Sequence, residues 1–400
     1  MAEVILVINS GSSSIKFSIY AYQQKLNLFY HGEIEGILES PCLTVRDVNH
    51  KQIFKKNISS SGTEAGLRAV FDWFEHLPDS MQLKVVGHRI VHGGAHFSGP
   101  TVVTNDVMKK MASLIPWAPF HQPQNLEAIT IIKKIYPKMT QVACFDTSFH
   151  QTQERLATLF AIPRALTEEG IVRYGFHGIS YEYIASVITQ HLGDIGNKRV
   201  IVAHLGNGAS MCAMYQCKSV ATSMGLTAVD GLMMGTRCGR IDPGVLLYLM
   251  QEKHFTAQQV ENLIYLKSGL LGVSCISNDV RELLTSEDAN AKEAIELFCY
   301  RAALEFGSLT AALKGCDALV FTAGIGEHAP VIRQKICERL AWLGIKIDGE
   351  ANKKNASIIS EKGCEITVSV IPTNEEYMIA KHSWNLMQNA CTDNLEPRAE

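Results

Sequence analysis

Five apolar residues in succession, Val4 to Ile8, read as a buried strand, and Ile15 to Tyr20 alternates apolar with polar like a second one. Between them lies a small-residue turn, Asn9 to Ser14. A weaker copy of this strand-turn-strand unit follows about 195 residues later, where Val200 to Leu205 runs through Gly206 to Ser210 into Met211 to Tyr215. Two such units so far apart predict two related domains rather than a solenoid, with a chance likeness of two glycine-rich hairpins as the alternative. Ser61-x-x-Glu64 fits a capping box ahead of an amphipathic helix to about Leu77. Strands are predicted over Leu83 to Val91, Thr140 to Phe145, Ala318 to Phe321 and Ile366 to Ile371. Helices are predicted from Asn125 to Tyr136, from a Ser180 cap to His191, over Asp288 to Lys314, and from about Glu375 onward. The mixture is α/β. The polar stretch from Ala390 to Glu400 is expected to fray.

Composition narrows the functional classes. The chain has 400 residues, enough for two or three domains, and 37 basic against 40 acidic residues give a formal charge of −3. No basic surplus points to nucleic acid or an anionic membrane. No run approaches the roughly 20 apolar residues that cross a bilayer. Eleven scattered cysteines, with no signal-peptide pattern at the start, suggest a reducing cytoplasm.

Three turns have the chemistry to hold phosphate: Asn9 to Ser14, Gly206 to Ser210, and the Gly324-Ile325-Gly326 turn after an apolar strand, with a helix expected from about Pro330. Glycine admits close backbone approach, and exposed amides, hydroxyls and a helix start add donors. None matches the P-loop pattern, and the third lacks the last glycine of a dinucleotide fingerprint, so a nucleoside phosphate fits better than NAD. Arginine and histidine stand beside glycine in Gly87 to Gly94, Tyr174 to Gly178 and Gly235 to Arg240, and Asp146 follows a predicted strand. A guanidinium fork matches both a carboxylate and a phosphoryl group. Any one of these groups alone would more readily be an ordinary salt bridge. Zinc is a poor fit, because the histidines lack helical i, i+4 pairing and the cysteines lack a second pair.

In order and spacing, Val7 to Phe17, Gly87 to Gly94, Tyr174 to Gly178, His204 to Gly208, Met234 to Arg237, Gly324 to Glu327 and Pro372 to Glu376 resemble the acetate kinase family, and the resemblance runs from about Val4 to Ala380. It implies two duplicated actin-like ATPase (ribonuclease H-like) domains around a nucleotide cleft, over residues 1–145 plus 377–400 and 146–376, in a cytoplasmic homodimer. It implies ATP or ADP as co-substrate, and Mg²⁺, with Mn²⁺ as a substitute, held by Asn9 and Glu375. His177 and Arg237 match residues that steady the transferring phosphoryl. Asp146 matches a residue usually given proton transfer, but a carboxylic acid with a pKa near 4.3 is already ionised at neutral pH, so orienting Arg89 or the metal is the task expected of it. Lys16, Arg89, Val91, Phe120, His121, Phe176 and Ala228 match substrate positions. His204, Leu205, Gly206, Asn207 and Gly208, then Asp279, Val280 and Arg281, then Gly324, Ile325, Gly326, Glu327 and His328 match ATP-binding segments.

The sequence departs from the family's usual residues at Phe120, commonly Leu, and at Ala228, commonly Pro. One enlarges and the other trims the wall of the acyl pocket. A methylene there is worth about 1–3 kcal/mol, so selectivity between acetate and propionate can move by tens of fold. Val91 favours acetate. Arg240 stands where Asp is frequent and His328 where Asn is common. Propionate or another short-chain acid is the nearest alternative substrate, and an ATP-driven clamp the alternative from another class.

Overall fold

A computed structural model describes residues 2–11, 13–77 and 81–393. Ser12 of the first turn and the tail from residue 394 lie outside them. The chain divides into two compact units, residues 1–148 with 374–400 and residues 149–373.

The first unit contains β1 (Ala2–Ser10), β2 (Ser14–Ala21), β3 (Leu28–Glu35), β4 (Cys42–Asp47), β5 (Gln52–Asn57), α1 (Thr63–Glu75), β6 (Met81–Ile90), β7 (Thr101–Val102), α2 (Asn105–Ala112), α3 (Gln122–Ile135) and β8 (Thr140–Phe145). Its sheet has the order β5-β4-β3-β2-β1-β6-β8-β7. Val4 to Ile8 are all buried because both faces of β1 are covered. Leu6, Ile8 and Val86 pack with Leu67 and Val70 of α1 and Ile132 of α3. On the other face lies α15 (Glu375–Asp393), the chain's last helix. Gly87 permits its approach: a Cβ there would collide with Ser383 Oγ and Ile379 Cγ2, at 2.5 and 2.6 Å. The edge strand β5 is kept solvated by Gln52, Lys55 and Lys56.

The second unit contains α4 (Arg155–Thr158), α5 (Arg164–Glu168), α6 (Gly178–Leu192), β9 (Arg199–Leu205), β10 (Ala209–Tyr215), β11 (Lys218–Thr222) and α7 (Pro243–Gln251). It continues through α8 (Ala257–Leu266), α9 (Gly269–Ser274), α10 (Val280–Thr285), α11 (Ala289–Leu313), β12 (Ala318–Thr322), α12 (Ala323–His328), α13 (Pro330–Arg339), α14 (Gly349–Lys353) and β13 (Thr367–Val370). The sheet order is β11-β10-β9-β12-β13. Residues Tyr181, Ile184 and Ile188 of α6 bury against Val200, Val202 and Val320, and α11 packs on β9, β10 and β11.

The repeat seen in the sequence is the centre of each sheet. In both, the first strand pairs antiparallel with its hairpin partner and parallel with a later strand on its other side. The order β3-β2-β1-β6-β8 of one unit is that of β11-β10-β9-β12-β13 in the other.

Three local expectations change. No capping box opens α1: its cap is Gly62, at φ 102°, and Glu64 instead accepts from Arg68 at 2.7 Å, one turn on. Ser180 lies inside α6, whose cap is His177 in the left-handed region at φ 57°. A helix does begin at Pro330, but the Gly324-Ile325-Gly326 segment before it is no open turn: it belongs to α12, since the chain turns sharply at Ala323, φ 64°, immediately after β12. The C-terminal helix runs to Asp393, and the rest of the polar stretch, from residue 394, lies outside the described residues.

Candidate active site

In the first unit, the strand ends β1, β6 and β8 and the start of α15 carry polar groups to one edge. Asn9 and Lys16 face each other in the β1–β2 register. Arg89, one residue from the end of β6, meets Asp146 just past β8: Nε donates at 3.1 and 3.2 Å and Nη2 at 2.8 Å. Its Nη1 lies 3.2 Å from Glu375 Oε2 at the first turn of α15. Burial opposes the charge on Arg89, but the carboxylates of Asp146 and Glu375 outweigh it and hold the guanidinium protonated. Burial, and then Glu375, push the carboxyl of Glu376 above the usual range, against the pull of Lys16 and Arg89. Val91 is buried directly after this strand. Phe120 and His121 lead into α3, whose Gln122 accepts from His92 N–H at 3.2 Å and donates to His92 O at 3.0 Å.

In the second unit, β9, α6 and the segment after β11 build another cluster. His177 and His204 stack with ring centroids 4.2 Å apart. Buried hydroxyls orient both rings. His177 Nδ1 is hydrogen-bonded to Ser210 Oγ at 2.8 Å, and Tyr181 OH to the same hydroxyl at 2.5 Å. His204 Nδ1 is hydrogen-bonded to Ser180 Oγ at 2.8 Å, which also pairs with Thr373 Oγ1 at 2.8 Å. His150 fixes the residue before His177: its Nε2 donates to Phe176 O at 3.0 Å, so its Nδ1 accepts from Ser219 Oγ at 2.9 Å. Burial pushes the pKa of His150 down to about 4, in keeping with the neutral ring this pairing needs.

Arg237 donates from Nη1 to Ala228 O at 2.6 Å. Its other terminal nitrogen and His177 Nε2 converge on Gly208, where a Cβ would stand 2.8 and 3.2 Å from them. Gly235 likewise leaves space for Asn207, whose carbonyl accepts from Gly235 N–H at 3.0 Å. Asn207 in turn lines a cavity of about 640 Å³ with Gly206, Asp279 to Arg281, Gly324, Ile325 and His328. Asp279 caps α10, and its ion pair with Arg281, at 2.5 Å, stays at the surface.

Gly326 and Glu327 do not line this cavity. Their carbonyls accept from Arg333 Nη1 at 2.8 and 2.9 Å, and Glu327 Oε1 accepts from Thr373 N–H at 3.1 Å. Arg333 is fully buried, and burial lowers its pKa to about 10. It also donates to the side chains of Asn352 and Asn355, tying α12 to α14. Sequence reasoning gave no role to Arg333, to Tyr181 or to Asn278, which lines the same cavity, and named Ser210 and Glu376 only as members of their motifs. A charged residue in an otherwise core-facing helix position was the one available signal, at Arg333.

The residues suit a hard divalent cation in part. Asn9 and Glu375 offer oxygen donors, and no group of three or more acidic, His or Cys ligands forms a closed cage among the described residues. Mg²⁺ takes one or two protein oxygens and completes its shell with phosphate and water, so this donor set fits it.

Comparison with known proteins follows the same lines. The Acetokinase family profile matches residues 4–381. An acetate kinase of Rhodopseudomonas palustris (strain TIE-1) is 50% identical over 96% of this chain and 99% of its own. One from Methylocella silvestris is 43% identical over 97% and 98%. Among solved structures, a propionate kinase from Francisella tularensis superposes with TM-score 0.89 at 37% identity, over 96% of this chain and 99% of that one. Acetate kinase from Porphyromonas gingivalis gives 0.85 at 35%, over 96% and 100%.

Proposed function

The chain belongs to the acetate kinase family, and on that premise we propose that it transfers the γ-phosphoryl group of ATP to acetate, reversibly and with Mg²⁺, giving acetyl phosphate and ADP. It is a phosphotransferase with a carboxyl group as acceptor, built on the actin-like ATPase fold. The observation that carries the reading is the continuity of the second unit's polar groups: Gly206 and Asn207 wall the cavity, and the next residue, Gly208, is where Arg237 and His177 converge.

The cavity takes the nucleoside, with its phosphates directed toward Gly208. Arg237 and His177 then offset the charge spread over the transferring phosphoryl oxygens. Arg89 receives the acyl carboxylate, and Asp146 and Glu375 hold its fork in place. A carboxylate oxygen attacks the γ-phosphorus in line, the bond to the β–γ bridging oxygen breaks, and ADP leaves with that electron pair. The nucleophile arrives ionised, so no proton has to move. Rate comes from positioning and from cancelling charge between two anions. Asn9 and Glu375 would hold Mg²⁺ through their side-chain oxygens, and its charge would lower the repulsion among the phosphate oxygens.

A homodimer is supported by α7, a largely apolar helix with no buried residue, where Val245, Leu247, Tyr248 and Met250 are 41–55% exposed. Such a face marks an association surface. No helix among the described residues is long and apolar enough to cross a membrane, and we place the enzyme in the cytoplasm.

Trapping with hydroxylamine tests the reading. Purified chain with acetate, ATP and Mg²⁺ should form acetohydroxamate and release ADP in equal amounts. ATP hydrolysis without hydroxamate would indicate a clamp and end the proposal. Propionate is the second reading, favoured by Ala228 where a larger residue is usual, and running acetate, propionate and butyrate side by side decides it.

A further inference from the structure

The parallel ladder between β1 and β6 ends at Ile8 and His88. Beyond that pair the strands part. Asn9 and Ser10 go on pairing with Lys16 and Ile15 of β2, while Arg89 and Ile90 go on pairing with Cys144 and Phe145 of β8. The gap that opens is flanked by Asn9 on one side and Arg89 on the other. Parallel strands that splay leave a carbonyl and an amide without a ladder partner, and a buried one is costly unless something replaces it.

The replacement is the side chain of Asn125 from α3. Its Nδ2 donates to Ser10 O at 2.9 Å and its Oδ1 accepts from Val91 N–H at 3.0 Å. Asn125 is 3% exposed. Its primary amide thus stands in for a peptide group, bonded to both strand ends where the ladder has stopped. Asparagine is a poor helix former, and past Gln122 in the first turn the buried positions of α3 are otherwise apolar, Leu126, Ala128, Ile129, Ile131 and Ile132, with no other use for it.

We propose that Asn125 is a positioning residue for the phosphoryl transfer: by pinning β1 to β6 past their last ladder pair, it sets the spacing between Asn9, the metal donor, and Arg89, the carboxylate receptor. The inference rests on the reaction proposed above. Two linked bonds give it a directional test. Asn125→Asp keeps an acceptor for Val91 N–H but loses the donor to Ser10 O and sets a carboxylate against that carbonyl. It loosens the Asn9 side. Asn125→Leu has similar volume and removes both bonds.

With hydroxamate trapping at saturating ATP, Asn125→Leu should lower kcat on the order of 100-fold, the cost of a misplacement of about 1 Å. It should also raise both the half-saturating Mg²⁺ and the KM for acetate several-fold. Asn125→Asp should raise the Mg²⁺ requirement more than the acetate KM. Affinity for ADP without metal, read by calorimetry, should stay within two-fold in both. Ile132→Ala, in the core of the same helix, serves as the destabilised control and should lower Tm while leaving both concentrations unchanged. Amide hydrogen exchange adds a readout independent of turnover: protection across residues 9–16 should fall in both Asn125 variants and hold in the control. Should Asn125→Leu not fold, Asn125→Asp decides alone. Variants with wild-type kcat, Mg²⁺ requirement and exchange overturn the inference. A wild-type chain that makes no hydroxamate overturns the proposed reaction instead, and the exchange pattern still judges whether Asn125 pins the two strand ends.

Discussion

Replacing Asp146 by Asn is the sharpest test of what that carboxylate does. The change keeps the side chain's shape and one acceptor oxygen but removes the charge facing Arg89, in a pair whose side chains are 1% and 17% exposed. Losing one partner of a buried pair costs about 3–5 kcal/mol. Here Glu375 remains 3.2 Å from the guanidinium and Asn still accepts one bond, so about 2–3 kcal/mol is the better figure, in line with charge-assisted hydrogen bonds. At about 2–4 °C per kcal/mol for a unit of this size, Tm should drop by roughly 5–10 °C. With one side of its fork released, Arg89 should swing toward Glu375. We expect turnover to fall on the order of 100-fold and the KM for acetate to rise. The assay is hydroxamate formation from pH 5.5 to 8.5, at a temperature where circular dichroism shows the variant folded. An orienting role predicts a variant profile parallel to wild type and lower throughout, since acetate is ionised over the whole range. A limb present in the wild type and abolished in Asp146→Asn would show proton transfer and refute the reasoning. Unchanged kcat and KM would refute it too.

Arg237→Ala should cost at least about 100-fold in turnover, with ATP affinity by calorimetry changed only a few-fold. Near-normal turnover would remove Arg237 from the phosphoryl site. Burial pushes both His88 and His150 down to about 4 from the ordinary 6.5. The folded form therefore binds fewer protons than the unfolded one between these values, and the stability they contribute, up to about 3 kcal/mol each, is complete above pH 6.5 and lost as pH falls toward 4. Thermal melts should be level near pH 7.5 and decline steadily below 6.5; a Tm unchanged down to pH 5 would contradict this. Leu247→Glu, on the exposed face of α7, should shift the mass measured by light scattering from dimer to monomer. A dimer unaffected by it would place the subunit contact elsewhere.

Much of this architecture was legible in the residues. The apolar run Val4 to Ile8 and its echo at Val200 mark the first strand of each sheet, because a strand covered on both faces has no polar side to show. The motif residues were legible as candidates, and Arg89 with Asp146 was the one pairing that the family resemblance led us to expect. Nothing in the spacing of Arg89, Asp146 and Glu375 says that one guanidinium meets both carboxylates, since those contacts are made by strand order and by a helix returning from the end of the chain. The supporting shell was least visible. Ser210, Tyr181 and Asn125 look like ordinary sheet and helix residues until their hydrogen bonds are seen. Helix starts failed for a related reason: His177 and Ala323 adopt left-handed backbone against their own preference, held there by packing that no local pattern announces.

The route of α15 has a consequence for how the chain comes into being. Ribosomes release the eight strands of the first unit early, yet the helix that seals one face of β1 and β6 emerges only after the whole intervening unit. Until then Gly87 and its neighbours present an open apolar floor, and Arg89 lacks Glu375. A nascent chain halted anywhere before residue 375 is thus an unfinished vessel, and chaperone occupancy of that floor, followed by ribosome profiling with crosslinking, should persist until the final helix is made.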